Sequence, residues 1–350
     1  MTSTTDTEAL RHELLRTILR QVSRSFYLNL RVVPACVRDQ LSLAYLFARA
    51  ADTIADTDLI ERGRRLQYLK QFTAQFGQDE TDWDAIRGIQ TALLPHQRVS
   101  GERTLLERLQ DCFRIYLGFR TDDRARIQAL MTTLTNGMEM DLTVFPGDSA
   151  NDLVALKTLE DLDRYIYYVA GCVGEFWTEM TCAHVPALAG WDKEVMKQIG
   201  VRFGKGLQLT NVLKDVARDL QRGRCYIPEA LLREAGLAPA DLLKPETLPA
   251  FRPVLIKLLR LAIDHLDQGL AYSLAIPRSE LRPRLSCLWP LLFAGGTLKQ
   301  VAASADLLDP NVSVKISKRE VYGLMALTIL TGACGYVATA LWGRLRKQVV

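Results

Sequence analysis

The chain has 350 residues, 48 % hydrophobic and 24 % charged, with a formal net charge of +4. That is ample apolar material for a large buried core, and Lys and Arg are spread along the chain, which excludes the clustered basic face a nucleic-acid partner needs. Seven scattered cysteines without a Cys-x-x-Cys read as reduced core thiols in a cytosol-facing protein, and four dispersed histidines argue against a zinc site.

Taken from the start, Glu8, Arg11, Glu13, Arg16 and Arg20 interrupt any apolar run, so no signal peptide is expected. Leu10, Leu14, Leu15, Ile18 and Leu19 recur with helical period and predict a first helix. The next apolar segment runs from Cys36 through Leu41, Tyr45 and Phe47 to Asp52-Thr53-Ile54-Ala55-Asp56. Aspartates four apart on a helix share one face, with Cβ atoms ~5–6 Å apart. Arg49, three residues earlier, is either a surface partner of Asp52 or a phosphate ligand beside a metal. A second stripe is Leu105, Leu106, Leu109, Phe113 and Leu117. Breakers at Pro34, Pro95, Pro146-Gly147, Pro186, Pro228, Pro253, Pro277, Pro283 and Asp309-Pro310 set off helix-sized stretches. Strand-like alternation is scarce. No Pro/Gly/Ser-rich linker, repeat or low-complexity segment divides the chain. The expected fold is all-α, a single-domain bundle of ten or more helices.

The segment Tyr165-Ile166-Tyr167-Tyr168-Val169-Ala170-Gly171-Cys172-Val173-Gly174 is aromatic, then small. Gly171 and Gly174 cost on the order of 1 kcal/mol each inside a helix. They fit close helix–helix packing or a groove wall kept low for an apolar ligand. The tyrosines are core residues, or they line that groove and steer a proton or a carbocation. After Gly204-Lys205-Gly206 comes a second acidic pair, Asp215 and Asp219, again four apart. Gln208, Asn211, Asp215 and Asp219 make one helical stripe, with Lys214, Arg218, Arg222 and Arg224 crowded around it. One such stripe is an ordinary wet helix face. Two acidic pairs half a chain apart, each beside cations, suit divalent metals that grip an anionic ligand.

Val321–Trp342 holds 22 residues without a charge. A helix of that length spans roughly 33 Å, against about 30 Å of bilayer hydrocarbon. Lys315, Lys318 and Arg319 precede it, Arg344, Arg346 and Lys347 follow, and Tyr322 and Trp342 stand where interfacial aromatics would. The expectation is one C-terminal transmembrane anchor over 321–342, with a catalytic domain over 1–318 facing the cytoplasm. The competing reading is a last core helix, apolar all round.

Together these residues resemble the squalene/phytoene synthase family, head-to-head prenyl-diphosphate synthases, from Ser23 to about Lys318. Ser23-Arg24-Ser25-Phe26 looks like the family's entry motif, and Arg49 through Asp56 like its first aspartate-rich motif. Tyr165–Gly174 is similar to its Tyr-x-x-Tyr-Val-Ala-Gly-x-Val-Gly segment. Gln208–Asp219, followed by Gly223-Arg224 and Pro228, matches its second aspartate-rich motif. Val314-Lys315-Ile316 before an apolar tail, and Val173–Trp177, look more like squalene synthases than phytoene synthases.

The resemblance implies an isoprenoid-synthase bundle around a central cavity, in which two farnesyl diphosphates condense through presqualene diphosphate and NADPH then delivers a hydride to give squalene. It implies that Asp52, Asp56, Asp215 and Asp219 bind Mg2+, with Gln208, Asn211 and Arg218 supporting the metals and diphosphates. Tyr165 would relay a proton, with Arg49 and Arg224 beside the reacting groups. Arg24, Arg49, Lys214 and Lys315 match positions for diphosphate or NADPH phosphates. A monomer is expected. Ala55 stands where eukaryotic squalene synthases usually carry Glu, Ser317 where an NADPH-binding Arg is expected, and Ser286–Pro290 departs from the family's aromatic segment. Asn136–Leu142 leans towards phytoene synthases. The rivals are a phytoene or dehydrosqualene synthase without the reductive step, and a non-catalytic helical membrane-associated subunit.

Overall fold

The helix-sized stretches between breakers fold as helices in the computed structural model, which describes residues 4–23, 26–57, 59–78 and 80–349. α1 (Thr4–His12) continues through a π-helical turn (Glu13–Ile18) into α2 (Leu19–Ser23). There follow α3 (Phe26–Val32), α4 (Ala35–Asp56), α5 (Arg62–Ala74), α6 (Trp83–Leu93), α7 (Ser100–Glu107), α8 (Leu109–Leu117) and α9 (Thr121–Val144). Strand β1 (Val154–Ala155) precedes α10 (Leu159–Ile166), a second π-helical turn (Tyr167–Gly171), α11 (Cys172–His184) and α12 (Lys193–Gln221). Strand β2 (Arg224–Cys225), α13 (Glu229–Glu234), α14 (Leu248–Ala275), α15 (Leu281–Ala303), α16 (Lys318–Leu330) and α17 (Gly335–Arg346) complete the order. The all-α expectation holds; β1 and β2 add one parallel pair two residues long. Where one bundle was expected, the chain forms two compact units: one through Leu142 together with Glu179–Ala189, the other Thr143–Thr178 with Gly190 onward.

The first unit is built on aromatic packing. Phe47 of α4 meets Phe76 and Phe113 at centroid distances of 4.8 Å each, and Phe72 lies 5.3 Å from Phe76. These rings bury large apolar areas and set α4 against α5 and α8. The Tyr116 hydroxyl donates to the Phe76 and Arg124 carbonyls, so its polar end is satisfied inside the core.

The second unit is built on glycines. A Cβ on Gly174 would lie 2.1 Å from the Gly200 carbonyl oxygen, and one on Gly204 2.2 Å from that of Ala170. The Tyr167–Gly171 turn and α11 therefore meet α12 backbone to backbone. Of the two readings of the small residues after Tyr165, close helix packing holds at Gly174. Five of the seven cysteines are buried; Cys36 is exposed and Cys334 half-buried.

The transmembrane expectation is corrected. Val321–Trp342 is two helices: α16 stops at Leu330, and the chain turns through Gly332 (φ 57°) and Ala333 (φ 49°) into α17. Both residues sit in the left-handed region that ends helices. Among the described residues no helix is long and apolar enough to cross a membrane. Trp342, read as an interfacial aromatic, is 2 % exposed. It packs on Gly295 of α15, and its indole N–H donates to Asp267 of α14 at 2.7 Å. Arg346, read as a flanking charge, also reaches Asp267, at 3.2 Å.

Candidate active site

The first acidic pair closes α4, in the first unit. Asp52 is half-exposed and Asp56 exposed. Solvent reaches 45 % of the Asp52 side chain. Burial among protein atoms, and next the like charge of Asp56, still push its carboxyl up to about 7, with Arg49 pulling the other way. Arg49 lies 3.6 Å from Asp52 and is also held by the Glu102 carboxylate from α7. Burial works to lower the Arg49 pKa, but Glu102 and Asp52 outweigh it and raise it. Arg49 is thus more than a surface partner: it is a half-buried cation shared by two acids from two helices. Gln97 donates to the other Glu102 oxygen at 3.2 Å, fixing that carboxylate in turn.

The C-terminal turn of α4 is fastened from α5. The buried Arg65 donates to the Ala55 carbonyl at 3.1 Å, neutralising one of the carbonyls a helix end leaves open. Ala55 itself is 7 % exposed and packs inside the end of α4.

The second acidic pair lies on α12, in the second unit. That helix starts at Asp192, whose carboxylate caps the Val195 N–H. Its apolar residues Leu209, Val212, Leu213 and Val216 are buried; of the predicted stripe beside them, Gln208, Asp215 and Asp219 are half-buried and Asn211 is exposed. Asn211 donates to Gln208 at 3.3 Å, Lys214 pairs with Asp215, and Arg218 lies 3.6 Å from Asp215. The charge of Asp219 reaches Cys225, whose thiol burial pushes up to about 12.

Gly223 ends α12 with φ 75°, and a Cβ there would strike the Ser149 carbonyl at 2.6 Å. This tight turn lets the chain run back as β2, paired with β1 through Val154↔Arg224. Arg224 is thereby held 3.9 Å from Asp148. Two residues on, Tyr226 stacks on Tyr165 with centroids 4.5 Å apart and planes at 21°, and Phe145 meets Tyr226 edge-on at 5.2 Å. Tyr165 comes from α10, which a Thr158/Asp161 capping box starts. The π-helical turn just after it is a departure from α geometry often found at functional sites.

Glu102 and Tyr226 were not singled out from the sequence. Tyr226 carried a weak signal, an aromatic beside the Gly223-Arg224 match. Glu102 carried none, because its partner is 53 residues away. Lys315 is exposed, and Arg24 lies outside the described residues. Ser317 caps α16: its hydroxyl accepts from the Glu320 N–H at 3.2 Å and donates to the Glu320 carboxylate at 2.7 Å. In the divergent Ser286–Pro290 segment, Trp289 donates to Thr328 at 3.0 Å, fixing α15 to α16.

The squalene/phytoene synthase family model matches residues 19–320. The chain belongs to this family. Members are head-to-head prenyltransferases. A squalene synthase of Cyberlindnera jadinii is 27 % identical over 305 residues, covering 87 % of this chain and 65 % of the relative. A bifunctional lycopene cyclase/phytoene synthase of Colletotrichum graminicola is 25 % identical over 288 residues, covering 82 % of this chain and 46 % of the relative. The chain thus spans under two thirds of the length of these curated relatives. The solved TcSQS complex with the ligand E5700 shares the fold, with a TM-score of 0.74 at 20 % identity over 98 % of this chain and 97 % of that one.

Both aspartate pairs are in helices here, one in each unit. Among the described residues of either unit, no three Asp, Glu, His or Cys side chains gather to hold a metal ion. Each pair by itself offers two carboxylates beside cations. That donor set fits Mg2+, which takes one or two carboxylates and completes its shell with water and substrate phosphates.

Proposed function

We propose that this chain is a squalene synthase, condensing two farnesyl diphosphates through presqualene diphosphate to squalene, with Mg2+ and NADPH. The observation that carries the reading is the repetition of one device. Each of two helices presents an i,i+4 aspartate pair within reach of Arg or Lys, and the second pair stands on the helix packed against the Tyr165 segment.

When bound to Asp52, Asp56, Asp215 and Asp219, Mg2+ supplies the positive charge that takes up the leaving diphosphate's developing negative charge. The chain's own residues do the rest. Arg49, Lys214, Arg218 and Arg224 offset the remaining phosphate charge, and Gln208 and Asn211 hydrogen-bond phosphate oxygens or ordered water. Tyr165, stacked on Tyr226, presents an electron-rich face to the allylic cation and holds a hydroxyl for proton transfer. The chemistry needs an apolar lining that keeps water from the cation. NADPH fits less well. Ser317 uses its hydroxyl to cap α16, which leaves exposed Lys315 as the matched contact among the described residues, and no step is derived through the nucleotide. That cap, with Gly137-Met138-Glu139-Met140-Asp141-Leu142, favours a second reading, a dehydrosqualene- or phytoene-type synthase.

Incubating the purified chain with farnesyl diphosphate and Mg2+, with and without NADPH, and weighing the products separates these readings. NADPH-dependent squalene supports the first. A dehydrogenated C30 product without NADPH, or reaction of geranylgeranyl diphosphate alone, establishes the second. Asp52→Asn and Asp219→Asn should each cut turnover by orders of magnitude while leaving the helical circular dichroism intact. Wild-type turnover in both would end the metal assignment, and absence of diphosphate release by the wild type would favour a non-catalytic subunit.

A further inference from the structure

α16 is a helix with the wrong outside. Its inward side consists of Val321, Leu324, Met325 and Thr328, of which only Thr328 is buried. Beyond its charged first turn, Lys318-Arg319-Glu320, its solvent side is Tyr322, Gly323, Ala326, Leu327, Ile329 and Leu330, without one polar residue except the tyrosine hydroxyl. Exposure there is 60 % at Tyr322, 40 % at Leu327, 49 % at Ile329 and 84 % at Leu330. A helix on a water-facing surface carries charged and polar side chains on that side. The apolar strip continues past the turn to Tyr336, which is 84 % exposed in the first turn of α17.

The surroundings of the strip say what covers it. From Val321 onward the chain has no Asp or Glu. Lys315, Lys318 and Arg319 at one end, Arg344, Arg346 and Lys347 at the other, and Arg278 beside the Gly332 turn are all exposed. An apolar strip rimmed by cations matches an anionic lipid surface, whose acyl boundary takes the Leu and Ile side chains and whose headgroups take the charges. A second copy docked on the same strip would bring two basic rims together, against a single acid, Glu320, in the first turn of each α16, which opposes association. Spanning is excluded by the turn and by the anchorage of Trp342 to α15 and α14.

We propose that α16 and the first turn of α17 form a lipid-docking surface, seating the protein in the interface of an anionic bilayer without crossing it. The inference is independent of which prenyl product the enzyme makes.

The test uses the full chain and vesicles of phosphatidylcholine, alone or with one quarter phosphatidylglycerol. Flotation with the anionic vesicles is expected, at least tenfold weaker with phosphatidylcholine alone or in 0.5 M salt, and reversed by alkaline carbonate. The double variant Ile329→Asp/Leu330→Asp should lose flotation at least tenfold with an unchanged melting temperature. Leu330→Trp should fold as wild type and shift its emission to the blue when anionic vesicles are added. Failure of the wild type to float, wild-type flotation by the double variant, or resistance to carbonate would each overturn the proposal. So would a wild-type dimer in sedimentation that the double variant abolishes while vesicles are ignored.

Discussion

Glu102 shows how a single side chain can matter to a site without entering it. It holds Arg49 from α7, and Arg49 in turn faces Asp52. Glu102→Ala would release the guanidinium to pair with Asp52 alone, closing the carboxylate a metal needs. We expect kcat/KM to fall about 10- to 100-fold, as displacement of a positioned group does. The half-saturating Mg2+ concentration should rise, and Glu102→Gln should recover part of the loss; an unchanged Mg2+ dependence would remove Glu102 from the site. His265 makes a second residue-scale prediction. It is 5 % exposed, and the Arg202 Nε–H donates to its Nδ1 at 2.8 Å, so the ring must be neutral there. Burial, and then Arg202 and Lys205, lower its pKa to about 4 from the ordinary 6.5. Between those values the unfolded chain binds a proton that the native protein refuses, so stability falls as pH drops from 6.5 to 4 and this contribution is flat outside that window. The loss should be on the order of 3 kcal/mol. His265→Asn keeps an acceptor for Arg202 and cannot titrate, so urea midpoints across the window should lose that part of their slope.

At the scale of elements, the tightest constraint is the contact between the Tyr165 segment and α12. It ties the second acidic pair to the stacked tyrosines, because α12 carries both the glycines of the contact and, two to four turns on, Gln208 through Asp219. Gly204→Ala would set a methyl 2.2 Å from the Ala170 carbonyl oxygen, and backbone cannot yield as a flexible side chain does. The helices must separate, at a cost of about 1–3 kcal/mol or more. Gly88 in α6, with nothing within 4 Å of a Cβ, is the control: alanine there should be neutral or stabilising by up to about 1 kcal/mol. Thermal melts of both variants check the contrast. The helices and both aspartate pairs were legible in the sequence because their signals are local, a 3.6-residue period and a four-residue spacing. Glu102, Arg65 and Tyr226 were not, because each meets its partner from another element. The glycines announced a close approach without naming what approaches.

For the whole molecule, the C-terminal segment is where the sequence alone misleads most. Twenty-two uncharged residues satisfy the length and flanking-charge criteria of a membrane span equally well whether the chain runs straight or folds back. The decision lies in Gly332 and Ala333, whose left-handed backbone breaks the helix. It lies also in α15, where Gly295 leaves room for the Trp342 ring. Were 321–342 a membrane anchor, deleting Val321 onward would release the protein from membranes and leave catalysis largely in place. The packing argues otherwise. The deletion would uncover Gly295 and leave Asp267 without the Trp342 indole and the Arg346 guanidinium, and Trp289 without Thr328. Loss of one buried Trp typically costs about 3–5 kcal/mol. A truncated chain should therefore melt roughly 10 °C or more below the full one, since about 1 kcal/mol moves the midpoint of a domain of this size by 2–4 °C. Trp342→Ala should reproduce a large share of that drop with the rest of the segment in place. Ile329→Asp/Leu330→Asp, altering only the exposed strip, should not. Equal melting temperatures for the truncated and full chains would mean that α17 does not hold the second unit together, and that the turn at Gly332 is incidental to its stability.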